Sequence, residues 1–168
     1  SLTKPCEEEL FDPTSFITQA EFSLDGRKLI TKSAFVVLTD EFFSGQRNAL
    51  EILFFAGLLT EEGKFDLLNK DGRGYDAAMV LFIDKDNKIW QVNLTYVIPG
   101  RTAAYTVAWK PEELKQFFSD YSYDGERLKL KSKGNYKEAD SEKNPVHLTW
   151  DINLNVPVFN KVGSKGNK

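Results

Sequence analysis

From Val146 to Val158 apolar and polar residues alternate without a break. Val146, Leu148, Trp150, Ile152, Leu154, Val156 and Val158 interleave with His147, Thr149, Asp151, Asn153, Asn155 and Pro157. Alternation over that length predicts an antiparallel strand with one face on a core and the other in water. A buried parallel strand would be apolar on both faces. The same period places Phe16, Thr18, Ala20, Phe22 and Leu24 on one face of an early strand. Asp25-Gly26 then turns the chain back through Leu29 toward Phe35 and Val37. Further on, Trp90, Val92, Leu94, Tyr96 and Ile98 share a face opposite Gln91, Asn93 and Thr95.

Between these strands the pattern is shorter. Periodicity does not separate strand from helix over Asn48–Ala56, which we read as a strand. Thr60 followed by Glu61 and Glu62 is an N-cap with acidic first-turn residues, predicting a helix to about Leu68. Ala77–Ile83 and Lys88–Ile98 read as a hairpin around Asp84-Lys-Asp-Asn87, and Thr102–Trp109 as the next strand. Pro111 suits a first helical position, where its missing N–H costs nothing, and Leu114, Phe117 and Phe118 supply that helix with an apolar side. Lys137–Asn144 reads as a charged loop.

One segment is echoed. Phe22-Ser-Leu-Asp-Gly-Arg-Lys-Leu-Ile-Thr-Lys-Ser33 and Tyr121-Ser-Tyr-Asp-Gly-Glu-Arg-Leu-Lys-Leu-Lys-Ser132 agree at six of twelve positions. Each holds Asp-Gly between alternating segments, the residue pair that accepts the positive φ angles of a type I′ hairpin turn. About eight to nine strands and two short helices predict a mostly β domain, an antiparallel β-sandwich or flattened barrel. Its expected limits are an extended arm over residues 1–13, a single domain over 14–159 and a disordered tail over 160–168.

Composition narrows the function classes. The chain has 168 residues, 41% of them hydrophobic and 13% aromatic, enough for a core without staples. A net charge of −3 with interspersed signs gives no electrostatic reason to bind nucleic acid. No apolar run is long enough to span a membrane as a helix. Few Met and Cys residues, with Thr, Asn and Lys abundant on the strands, favour an exported, periplasmic or secreted protein.

Candidate chemistry is limited by scarcity. His147 is the single histidine, so no site of two or three imidazoles can be built within one chain. No Gly-x-Ser-x-Gly elbow accompanies it, and Cys6 is the single cysteine. Asn69-Lys-Asp-Gly-Arg-Gly74 fails as a calcium loop, with Arg73 at a ligand position and Val80 where the bidentate Glu belongs. No cofactor is implied.

If consecutive strands simply alternate in direction, Arg27, Arg73, Arg101 and Arg127 gather at one end. Guanidinium forks there would suit a carboxylate or phosphate ligand. Asp40, Glu41, Asp84, Asp86, Asp120, Asp140 and Glu142 would gather at the other end. The sequence therefore favours a non-catalytic binding or interaction module for an unidentified small ligand, anionic or sugar, or for a protein. The alternatives are a small hydrolase working through Asp/Glu, and an adaptor subunit that binds a protein partner at a strand edge.

Overall fold

The structure, a computed structural model, describes residues 10–39, 48–69, 74–98, 100, 104–139 and 145–161. Most of the expected arm and tail, and Cys6, lie outside these residues. A short 3-10 turn, Pro13–Phe16, leads into nine strands: β1 (Ile17–Leu24), β2 (Arg27–Thr39), β3 (Ala49–Phe55), β4 (Ala77–Ile83), β5 (Ile89–Val97), β6 (Ala104–Trp109), β7 (Asp120–Tyr123), β8 (Arg127–Ala139) and β9 (Pro145–Asn160). Helix α1 (Glu61–Asn69) joins β3 to β4, and α2 (Pro111–Phe117) joins β6 to β7. All nine strands form one sheet in the order β6-β5-β4-β3-β2-β1-β9-β8-β7. The main ladders are antiparallel, as the alternating patterns require.

The sheet curls on itself without closing. Trp109 of β6, near one end of the strand order, packs against Trp150 of β9 at 5.0 Å and Tyr136 of β8 at 5.7 Å between ring centroids. The Tyr121 hydroxyl of β7 accepts the Ile89 amide of β5, which ties the two ends across the open seam. Helix α2 docks at that seam through Leu114 and, just past its last residue, Phe118, both in the main core. Phe117 lies edge-on to Trp150 at 5.2 Å. Gly134 permits this approach, because a Cβ there would meet Trp150 at 2.5 Å and Phe117 at 2.6 Å. Ser132 completes the dock: Trp150 Nε1 donates to its hydroxyl, which donates to the Phe117 carbonyl at 2.6 Å. In the echoed segment Ser33 does the equivalent, donating to the Gly57 carbonyl ahead of α1 at 2.6 Å.

The two halves of the sheet differ in what covers their outer face. Every residue of β4 is buried. Outside β2, Phe16, Phe35, Val37 and Leu59 form a second core with Phe159 and residues of α1, capped by Lys64 over the Phe159 ring at 4.5 Å. By contrast β1, β9 and β8 keep a polar outer face. β9 alternates buried and less buried from Pro145 to Val156, as its sequence requires.

Four expectations are corrected. Trp90 does not share the core face of β5: the β4–β5 register shifts between Phe82 and Ile83, so Ile89 packs on the main core while Trp90 packs outside on Phe82. Phe16, which ends the 3-10 turn instead of sharing the β1 face of Ala20, Phe22 and Leu24, likewise serves the second core, as do Phe35 and Val37, rather than the one Leu29 joins. Lys137 and Glu138 are strand, because β8 pairs with the start of β9 as far as Ala139–Pro145. The two Asp-Gly hairpins also differ. Asp25 and Gly26, with φ of 51° and 83°, make a two-residue loop between Leu24 and Arg27. In the second, β7 and β8 first pair at Tyr123–Leu128, and the Asp124 carboxylate accepts the amides of Glu126 and Arg127.

Candidate functional site

The four arginines were expected at one end. Arg73 and Arg101 lie outside the described residues. Arg27 and Arg127 are not together. Arg27 pairs with Leu24, itself level with Leu148 of β9, whereas Arg127 pairs with Pro157, nine residues further along that strand. At the rise of an extended strand this separation is roughly 30 Å. The reason is α2: β6 and β7 run in the same direction in the sheet, so the alternation breaks and the Asp124 turn falls at the opposite end. The Arg127 guanidinium instead donates to the Asn155 side chain and carbonyl, each at 3.0 Å. Of the expected acidic end, Asp40, Glu41, Asp140 and Glu142 lie outside the described residues. Asp84 is occupied as a turn residue, and its carboxylate accepts the amides of Asp86 and Lys88. Those bonds hold its pKa below the usual carboxylate value.

A concavity lies elsewhere, at a fork in the sheet. β1 is shorter than its neighbours, and beyond its first residue β2 and β9 pair directly in parallel over Val36–Val158 to Leu38–Asn160. Where β1 enters, its ladder with β2 is irregular between Ile17 and Ala20. β2 changes faces at the same level: Leu29 packs on the main core, then Ala34, Val36 and Leu38. Thr18 turns inward and its hydroxyl donates to the Asn153 carbonyl at 2.9 Å. The mismatch leaves a groove of about 520 Å³ on the outer face, lined by β1, β2, β9 and Leu58.

Apolar and polar groups share this groove. Ile17, Ile30 and Leu58 are 49%, 61% and 55% exposed, and all three line it. These three aliphatic side chains stand out on an otherwise polar face. Around them stand Gln19, Glu21, Lys32, Asp151 and Asn153. The sheet fixes their order: Gln19 is opposite Asn153, and Glu21 opposite Asp151. Lys28 lies 3.6 Å from Glu21 and Lys133 lies 3.9 Å from Asp151. Each acid thus has a lysine beside it, and Lys32 leaves the groove with a single surplus positive charge.

Its reactive repertoire is narrow. Glu21 and Asp151 face each other but are well solvated, with side chains 48% and 62% exposed. A glycosidase acid needs a desolvated carboxyl. Glu51 has that environment: burial raises its pKa, and the charge of Lys161 acts in the other direction. Its ladder neighbours, however, are Val37 and Val80, with no second acid across from it. Among the described residues no three His, Cys, Asp or Glu side chains converge as a metal set. His147 is an exposed strand residue whose amide donates to the Asp25 carboxylate.

Ile17, Ile30 and Leu58 were not singled out from the sequence. The available signal was Ile30 itself, an aliphatic residue between Lys28 and Lys32 on the polar side of the β2 pattern. Comparison with protein-family models, with curated proteins and with solved structures finds no match to this chain.

Proposed function

We propose that the chain is a non-catalytic binding module that takes a neutral sugar in the fork groove. The observation that carries this is the lining: aliphatic side chains beside amides and lysine-paired carboxylates, with Lys32 the one surplus charge. A pyranose ring presents C–H faces to aliphatic groups and hydroxyls that both donate and accept. Gln19 and Asn153 offer both functions through their amides, and Glu21 and Asp151 offer acceptors. A cation would need surplus negative charge, and a phosphate or carboxylate more positive charge than the single surplus cation, Lys32, that the lining supplies once each acid is matched by a lysine. An exported location is consistent with such a ligand and belongs to the same proposal.

A thermal-shift screen of the intact chain tests it, using neutral mono- and oligosaccharides beside phosphate, citrate and Ca²⁺. A ligand that binds only the folded state raises Tm by linkage. A rise with neutral sugars that is lost in Asn153→Ala is the expected result. No rise with any sugar would overturn the proposal and leave the exposed aliphatic side chains to a protein partner. A rise with phosphate or citrate alone would return attention to the arginines.

A further inference from the structure

The fork groove does not end at β9. A second concavity of about 340 Å³ lies on its other side, between the end of α2 and strands β7, β8 and β9. The two share Asp151 and Asn153 as a common wall. Register places their polar groups in rows that cross the strands. One row runs from Gln19 through Asn153 and Lys131 to Asp120. The other runs from Ile30 through Glu21 and Asp151 to Lys133. Five adjacent strands, β2 to β7 in sheet order, therefore line two concavities that adjoin along this wall as the halves of a trough. Four inter-strand spacings make it roughly 19 Å long.

We infer that this trough holds an extended, unbranched neutral oligosaccharide lying across the strands, longer than a single ring or a disaccharide. The inference rests on the proposed sugar site and adds its length and direction. Charge balances in the second concavity, where Asp120 and Asp151 stand with Lys131 and Lys133. Phe117, half-buried against Trp150, supplies an apolar surface at this end, as Ile30 does at the other. The docked α2 thus has a role in the ligand surface besides closing the seam, since its last residues form one wall. A compact ligand would use one concavity and leave the shared wall contacted on a single side.

Titration calorimetry on the intact protein tests this, with gluco-, manno-, galacto- and xylo-oligosaccharides from one to six units. The expected result is an affinity that rises roughly tenfold or more from the disaccharide to the tetrasaccharide in one series, about 1.4 kcal/mol. Lys131→Ala flattens that rise with length, whereas Ile30→Ala keeps the rise and weakens the whole series. Both side chains point outward from the sheet, and unchanged melting of each variant confirms the fold. Affinity independent of length, with Lys131→Ala silent, overturns the extended trough while the single-groove sugar site stands. No heat with any series overturns both.

Discussion

Glu51 shows how a single position can depart from the pattern around it. It stands on β3 between Val37 and Val80, on a face that is otherwise apolar, and burial raises its pKa above the ordinary 4.5. A carboxyl whose folded pKa is raised binds its proton more tightly in the native state. Its relative contribution is therefore fully present below the unfolded pKa and is lost as pH rises through the folded value. Glu51→Gln removes that penalty, so its Tm is expected to exceed the wild type near pH 7. The advantage disappears in melts below about pH 4.5, where both proteins carry a neutral side chain. A variant less stable at pH 7 would mean that attraction to Lys161 outweighs desolvation.

Residue-scale legibility followed chemistry that acts locally. Asp25-Gly26 announces its turn because few other pairs accept two consecutive positive φ angles. Asp124-Gly125 carries the same letters, yet its carboxylate caps two following amides and makes a longer connection. The choice between those outcomes depends on where β8 is held by β9, which no local pattern encodes. Trp90 was misplaced for a related reason. A one-residue shift in pairing reverses the faces of a strand, and alternation cannot reveal which residue is the extra one.

Among the elements, β9 was legible throughout because one strand with a buried and a solvated face writes its geometry into the sequence. Helix α2 was also visible, from Pro111 and its apolar side, but its consequence was not. By returning the chain so that β6 and β7 share a direction, it separates Arg27 from Arg127, two of the four arginines expected at one end. Its docking depends on the absence of a side chain at Gly134, beneath Phe117 and Trp150. Gly134→Ala forces those rings apart, a small-to-large change expected to cost about 1–3 kcal/mol. Chemical denaturation followed by tryptophan fluorescence checks it. A variant as stable as wild type would show that α2 is not seated as described.

At the scale of the whole molecule, the described residues form a curled nine-stranded sheet, covered on one half and, among those residues, uncovered on the other, with a groove where the halves meet. The fold class was accessible from strand count and period. The groove was not, because it arises from three long-range facts: a short β1, a parallel contact between β2 and β9, and a change of face in β2. None of these is a property of neighbouring residues. Asp151 and Asn153 were visible only as members of a polar face; their convergence with Gln19, Glu21 and Ile30 required the register.

The most direct measurement is backbone-amide chemical-shift mapping of the isotope-labelled protein, titrated with the sugar that most raises its melting temperature. If the fork groove is the binding site, the largest shifts fall at Gln19, Glu21, Ile30, Asp151 and Asn153, with the hairpin tips at Asp25 and Asp124 unmoved. Shifts centred on Arg27, Arg127 or the α1 face, with the fork silent, would contradict a binding groove at the junction of β1, β2 and β9.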